Sequence, residues 1–146
     1  MKLSTPIPAN CTHFKIRRLM RAVSKGYDRE LAKVGLVTTQ FSLLTVIALR
    51  GPLPLGVLAT RVGLNASTLT RNLKPLLKAG WVQLETAGDA RRRIARITIE
   101  GAAMQTAAEP YWRTAQLELD AMLGPILNEG LHEVLDAALN KLLTID

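Results

Sequence analysis

Apolar side chains recur at spacings of three and four residues in the first and last parts of the chain, which predicts helices there. From Asn10 to about Lys33, one apolar stripe is made by Ile16, Leu19, Met20, Val23, Tyr27 and Leu31. A long helix from Glu100 to about Met122 is expected to bend at Pro110. A last helix, from about Asn128 to Leu143, carries a stripe of Leu131, Leu135, Ala138 and Leu142.

Two shorter helices are predicted before residue 65, separated by glycine and proline. The first begins at a cap on Thr38 or Thr39 and ends where the segment GPLPLG (51–56) begins. The second runs from about Leu55 to Arg61. Gly63 follows it and fits the left-handed position that often ends a helix. Residues 1–9 contain two prolines and are expected to form an extended arm.

The next predicted helix, from about Ala66 to Ala79, separates its residue types most sharply. Asn65 is a good N-cap for it, Gly80 ends it, and Pro75 is expected to kink it. At about 100° per residue, one side collects leucines, namely Leu69, Leu73, Leu76 and Leu77. The other side is basic and hydroxylic and has no acid, with Ser67, Thr70, Arg71, Lys74 and Lys78.

A β-hairpin is predicted after this helix. The segments WVQLE (81–85) and RIARITI (93–99) alternate apolar with polar residues, and the loop between them contains Gly88 and Asp89. The hairpin therefore places Arg91, Arg92 and Arg93 at or near its tip. Three like charges repel one another, which suggests an anionic partner, although a solvated charged loop is the simpler alternative.

Charge is distributed unevenly along the chain, although the whole carries a formal +7. Residues 1–96 hold 17 Lys and Arg against 4 Asp and Glu, whereas residues 97–146 hold 2 against 8. The stretch from Val34 to Leu84 has five basic residues and no acid. This asymmetry favours a polyanionic partner for the first two thirds of the chain, and nucleic acid before a membrane.

The order of these elements is that of a winged helix-turn-helix in a mainly α (α+β) fold. The basic helix is narrow enough to enter the major groove of double-stranded DNA, and the hairpin reaches the adjacent minor groove. Short polar side chains suit phosphates or base edges, and Arg71 can fork onto guanine. The candidate DNA-binding residues are Asn65, Ser67, Thr68, Thr70, Arg71, Lys74, Arg91, Arg92 and Arg93.

Two segments together resemble the MarR family of transcriptional regulators. They are STLTRNLKPLLKAGWV (67–82) and DARRRIARITIEG (89–101), and GLVTTQFSLL (35–44) is similar to the family's entry into its second helix. The family's wing pattern is matched in spacing and type by Asp89, Arg91, Ile97, Thr98 and Gly101. The resemblance extends over about residues 10 to 143, which is nearly the whole chain.

The resemblance implies a homodimer whose terminal helices intertwine. It divides the chain into an arm and dimerisation helix (1–33), a DNA-binding lobe (34–99) and C-terminal dimerisation helices (100–146). It further implies a pseudo-palindromic operator, repression of transcription, and release from DNA by a small, often aromatic and anionic, ligand bound between the lobes. The alternative is a different class of protein, a winged-helix module that binds other proteins and has lost DNA binding.

The start of the first helix holds three candidate ligand-binding residues, Cys11, His13 and Arg17. His13 and Arg17 are four residues apart and share a helix face that suits an aromatic acid, with a solvated basic face as the alternative. The family resemblance also implies an oxidant-sensing alternative acting through Cys11. In that branch tyrosines hydrogen-bond the cysteine; Tyr27 matches one, and Thr38 stands where another is expected.

No enzyme signature such as a phosphate-binding loop or HExxH is present, so neither catalysis nor a cofactor is expected. The single cysteine excludes an internal disulfide. Glu129 and His132 are expected to be a surface pair rather than a metal site. The start of the chain lacks a signal-peptide pattern, and its longest apolar stretch (41–49) is too short to span a bilayer, so a cytoplasmic protein is expected.

Overall fold

A computed structural model describes residues 10–88 and 91–143, which form six α-helices and a three-stranded antiparallel sheet with strand order β1–β3–β2. The elements in chain order are α1 Thr12–Leu31, α2 Thr38–Arg50, β1 Leu53–Pro54, α3 Leu55–Val62, α4 Ala66–Lys78, β2 Val82–Thr86, β3 Arg93–Ile97, α5 Ile99–Leu123 and α6 Pro125–Leu143. A 3-10 turn, Ala32–Val34, extends α1. The mainly α, winged helix-turn-helix prediction is confirmed. The predicted arm (1–9) and Asp89 lie outside the described residues.

The N-terminus of α2 is capped differently from the prediction. Val37, rather than Thr38 or Thr39, is the N-cap residue, and its N–H donates to the Gln40 side chain at 3.1 Å. Thr38 is the first helical residue, and its backbone N–H (2.7 Å) and hydroxyl (2.5 Å) both donate to one carboxylate oxygen of Asp28. A carboxylate from α1 therefore satisfies the helix end that a threonine was expected to cap.

The segment after α2 contains a strand that the sequence did not predict. Leu53 and Pro54 pair antiparallel with Ala95 and Ile94 of β3 and so add a third strand to the hairpin. Proline is tolerated there because β1 is an edge strand. A strand of two residues has no periodicity to detect, and it exists only through its partner.

The hydrophobic core is built mainly from the middle of the chain. α2 and α4 supply most of its large side chains, and the sheet adds to it; among the members are Phe41, Leu43, Leu44, Ile47, Leu58, Leu69, Leu73, Leu76, Val82 and Ala95. Among the described residues, no single helix is long and apolar enough to cross a membrane. Only α1 with its 3-10 turn, taken together with α2, meets that length and composition, and the two are bent by 74° at the break.

The terminal helices bury little of their apolar surface within the chain. The predicted stripe of α1 is buried at Tyr27 and Leu31 only, whereas Ile16 and Met20 are 52% and 57% exposed. α6 has no buried residue. It begins at Pro125, three residues before the predicted start at Asn128, because a proline at the first helical position lacks an N–H that the helix does not need there.

A tight junction joins the end of α4, the wing strands and the start of α5. The predicted strand through Ile99 is wrong, because β3 ends at Ile97 and Thr98 becomes the N-cap of α5. The Thr98 hydroxyl accepts from the Gly101 N–H at 2.9 Å and donates to the Gly80 carbonyl at 2.7 Å. The Thr98 N–H donates to the Trp81 carbonyl at 3.0 Å.

Gly101 is expected to be intolerant of any side chain at this junction. A Cβ there would lie 2.0 Å from the Trp81 carbonyl oxygen, so the backbone must move apart. We predict that Gly101→Ala lowers the free energy of unfolding by about 1–3 kcal/mol, measured by urea denaturation. Gly130→Ala on α6 is the matched control, since a Cβ there has no neighbour within 4 Å. Equal stability of Gly101→Ala and the unchanged protein would refute the junction's role.

Candidate functional site

The rotation of α4 about its own axis is set from two sides. At its start, the Asn65 side chain accepts from the Thr68 N–H and from the Ser67 hydroxyl, both at 2.9 Å. Along its length, three side chains lie in the core with at most 1% of their surface exposed, namely Leu69, Leu73 and Leu76. The opposite face of α4 must therefore point away from the protein.

That opposite face is polar, basic and exposed. Its exposed members are Ser67, Thr70, Arg71, Lys74 and Lys78, while Thr68 is half-buried. The Thr70 hydroxyl donates to the Ala66 carbonyl at 2.9 Å, so its remaining capacity is as an acceptor. In the described part of the chain, neither Arg71 nor Lys74 forms an ion pair. Two free cations on one helix face suit a polyanion.

The wing, which contacts α4 through β2, carries a second group of cations. β2 pairs antiparallel with β3 from Val82 opposite Ile97 to Thr86 opposite Arg93. The Ala87 N–H donates to the Arg92 carbonyl at 3.0 Å and extends the ladder toward the tip. Arg91, Arg92 and Arg93 are all exposed, as predicted from the sequence for a hairpin tip.

Arg96 has a different role from the other wing arginines. Its guanidinium donates to both carboxylate oxygens of Glu85 on the neighbouring strand, at 2.8 and 3.2 Å. This contact lowers the pKa of Glu85 and raises the pKa of Arg96, because each charge stabilises the other. Arg96 therefore stiffens the wing across its strands instead of extending from it.

A concave surface between α3 and the wing contains a cation that the sequence reasoning missed. It encloses about 660 Å³ and is lined by Pro54, Gly56, Val57, Thr60, Arg61 and Arg92. Arg61 and Arg92 are far apart in sequence and meet here because β1 pairs with β3. Arg61 belongs to the acid-free stretch from Val34 to Leu84, but charge alone could not place it beside the wing.

The three predicted ligand residues lie together at the start of α1. Cys11 is the half-buried N-cap residue, and His13 and Arg17 are exposed in the first turns. Tyr27 lies 16 residues further along, which at 1.5 Å per residue is about 24 Å from Cys11. Its hydroxyl donates to the Gln116 side chain at 2.5 Å, and burial together with nearby Asp120 raises its pKa. Within one chain, Tyr27 therefore does not contact Cys11.

A cleft lies between α2 and α5. It encloses about 430 Å³ and is lined by Phe41, Ser42, Thr45, Val46, Leu49, Gln105, Glu109 and Trp112. The rings of Phe41 and Trp112 stack with centroids 6.1 Å apart and planes 24° apart. None of the three ligand residues predicted from α1 lines this cleft.

Glu129 and His132 are both exposed on α6. Among the described residues, no three His, Cys, Asp or Glu side chains come together in a group that could hold a metal ion. In the described part of the chain, the candidate sites are the basic surface of α4 and the wing, and the α2–α5 cleft.

Comparison with known proteins places these features in context. The model of the MarR family matches residues 34–93, the segment that contains α4 and most of the wing. The transcriptional regulator MosR of Mycobacterium tuberculosis, whose structure contains DNA, is 36% identical to this chain. The match covers 88% of this chain and 96% of MosR, with a TM-score of 0.76.

Two further proteins are similar over different extents. The regulator PcaV of Streptomyces coelicolor, solved with its natural ligand, shares the fold at 19% identity; the match covers 90% of this chain and 94% of PcaV, with a TM-score of 0.79. The HTH-type transcriptional regulator YwoH of Bacillus subtilis is 29% identical over 86 residues, or 59% of this chain. The match spans 63% of the length of YwoH, which is less than two thirds.

The wing arginines are expected to supply charge more than sequence readout. The minor groove offers a degenerate code, so arginine there gains mainly from groove potential and counterion release. We predict that replacing Arg91 and Arg92 with Ala weakens binding to specific and random duplexes alike. The plot of log affinity against log salt should flatten by about one unit for each phosphate that the protein no longer neutralises.

The control for this pair is Arg21→Ala with Lys25→Ala, which removes the same charge from exposed positions on α1. It should leave the salt slope nearly unchanged, and circular dichroism should show both variants folded. If the wing variant has the same slope as the unchanged protein, its arginines do not contact DNA.

Proposed function

The chain belongs to the MarR family of transcriptional regulators, and we propose that it binds its operator as a homodimer, represses transcription and leaves DNA when a small ligand binds. That it is a DNA-binding regulator follows from the family. The proposal of operator binding rests mainly on the polar face of α4. The burial of Leu69, Leu73 and Leu76 forces this face to point into solvent. The similar regulator MosR, whose structure contains DNA, supports DNA binding by this chain.

In the proposed complex, α4 lies in the major groove and the wing follows the adjacent minor groove. The major groove is about 12 Å wide and accepts one helix. Arg71 is free of ion pairs and faces outward, so it can donate two hydrogen bonds to guanine. Lys74 binds a phosphate. The hydroxyls of Ser67 and Thr70 already donate within the protein, so they accept hydrogen bonds from amino groups at base edges. Arg61 and Arg92 flank the same stretch of backbone from α3 and the wing.

The proposed dimer rests on apolar surface that one chain leaves uncovered. On α6, Ile126, Val134 and Leu142 are 88%, 66% and 69% exposed. On α1, Ile16 and Met20 are more than half exposed. Monomeric proteins seldom expose apolar side chains this densely, and the acidic C-terminal third is unsuited to DNA. A second copy of the chain covers these helices and at the same time supplies the second half of a pseudo-palindromic site.

We propose that the releasing ligand binds in the α2–α5 cleft. The ligand-bound structure of PcaV, which shares this fold, supports a small-molecule effector. α2 lines the cleft with Ser42 and Thr45 and contributes Leu44 and Ile47 to the core on which α4 packs. A ligand that separates α2 from α5 therefore changes the position of α4 relative to the dimerisation helices.

The proposal does not depend on Cys11, and oxidant sensing through Cys11 stays the alternative. Its thiol lies at the opposite end of α1 from Tyr27, the tyrosine that the oxidant-sensing alternative requires. Tyr27 is held instead by Gln116, whose amide in turn donates to Asp120 at 2.7 Å. These side chains connect α1 with α5 and are part of the scaffold.

Arg71→Ala is predicted to lower affinity for a selected operator by about 1–3 kcal/mol, since alanine cannot donate the two hydrogen bonds to guanine. Affinity for random duplex should fall much less. Fluorescence anisotropy on the two duplexes measures both. Lys78→Ala is the matched control on the same face, and we expect it to weaken both duplexes alike. Equal reductions on the two duplexes for Arg71→Ala would contradict base readout by this residue.

Leu135→Glu combined with Leu139→Glu is predicted to dissociate the dimer. The two side chains share one face of α6 and are 38% and 51% exposed in the single chain. Burying two unpaired carboxylates costs more free energy than the remaining apolar contacts of the interface contribute. Analytical ultracentrifugation should show a monomer, and Ala137→Glu on the opposite face should stay dimeric. A dimer of unchanged affinity in the double variant would contradict the proposed interface.

A further inference from the structure

We propose that the α2–α5 cleft selects a planar aromatic ligand that carries a positive charge, with Glu109 as its counter-ion. Only the effect of ligand binding, which is the release of DNA, rests on the proposed function. The ligand class itself follows from the side chains that line the cleft. It differs from the aromatic acid that the sequence suggested for His13 and Arg17.

The shape and apolar walls of the cleft define the ligand's body. A volume of about 430 Å³ lies within the range of small-molecule sites and exceeds what a fused two-ring compound needs. Phe41 is 5% exposed and forms the base with the stacked ring of Trp112. Leu49 at the rim is 75% exposed, although it adjoins this apolar wall. A flat aromatic ligand fills the space between these surfaces and covers Leu49.

The neutral polar groups of the cleft allow a ligand to be oriented. Ser42, Thr45 and Gln105 present hydroxyl and amide groups to the space. The Gln105 amide reaches the Thr45 hydroxyl at 3.5 Å, a long contact that a ligand can replace at little cost. These groups donate and accept equally well, so they do not decide the sign of the ligand's charge.

The preferred charge of the ligand is set by Glu109, the single ionisable side chain among the residues that line the cleft. No Lys, Arg or His joins it there, although the chain as a whole carries +7. A ligand carboxylate would lose hydration in this cleft without gaining a cation and would lie close to a like charge. An ammonium group gains the Glu109 carboxylate in a cleft that aromatic side chains also line.

Glu109 already forms an ion pair with Arg113, one helical turn further along α5, at an N–O distance of 2.5 Å. Arg113 itself does not line the α2–α5 cleft. The pair is open to solvent, with the Glu109 side chain 44% and the Arg113 side chain 63% exposed. An ion pair this exposed contributes about 0–1 kcal/mol. The second carboxylate oxygen of Glu109, or the whole group after Arg113 swings into solvent, is therefore accessible to a ligand cation.

Three naphthalenes that differ in one substituent test the proposal on the full-length protein. They are 2-naphthylmethylammonium, 2-naphthylmethanol and 2-naphthoate, and calorimetric titration measures each Kd. We expect the cation to bind tightest, the alcohol next and the acid weakest. Glu109→Gln should weaken the cation about three- to fivefold and leave the alcohol unchanged.

Glu118→Gln is the matched control. Glu118 is also on α5, is 48% exposed at its side chain and pairs with an arginine, Arg29, but it lies outside this cleft. It should alter none of the three affinities. The proposal is overturned if the acid binds at least as tightly as the alcohol, if Glu109→Gln leaves the cation's affinity unchanged, or if none binds at millimolar concentration.

Release of DNA is measured separately, by adding the cation to the protein–operator complex. If the three ligands bind in the expected order but DNA is retained, the ligand class stands and the effector role under the proposed function fails. If the acid alone releases DNA and Arg17→Ala abolishes that release, the proposed ligand class is wrong. The ligand is then an aromatic acid that binds His13 and Arg17 on α1.

Discussion

The burial of three leucines of α4 is the constraint on which the rest of this structure depends. Once Leu69, Leu73 and Leu76 enter the core, the helix can present only its basic and hydroxylic face to solvent. The capping side chain of Asn65 fixes where that face begins. At the other end, Thr98 joins the turn after α4 to the end of β3 and the start of α5, so the base of the wing is held next to α4.

Much of this arrangement could be predicted because it is local. The 3.6-residue period of α4, its Asn65 cap and the alternating strands around a turn each depend on neighbours in sequence. The rotation of α4 and the exposure of Arg91, Arg92 and Arg93 followed from these local patterns alone. Family resemblance then added two expectations that no local pattern contains, namely a homodimer and a small-molecule ligand.

The features that could not be predicted arise from distant contacts. Asp28 reaches from α1 to the start of α2 and removes the need for a threonine cap. β1 exists only through its pairing with β3, and that pairing is what brings Arg61 beside the wing. The α2–α5 cleft combines Phe41 with Glu109 and Trp112, residues more than sixty positions apart. The sequence alone could not show that Glu109 lines a cleft, because the cleft forms only where α2 packs against α5.

Selection of binding sequences from a pool of random duplexes tests the central claim most directly, because it needs both specific readout and two-fold symmetry. The full-length protein should enrich a pseudo-palindrome whose half-sites are separated by about one helical turn, 10–10.5 base pairs, or a multiple of it. Each enriched duplex should bind two copies of the chain. A pool that stays random, or that yields a single half-site bound by one copy, would contradict the account of a dimer that reads DNA through α4.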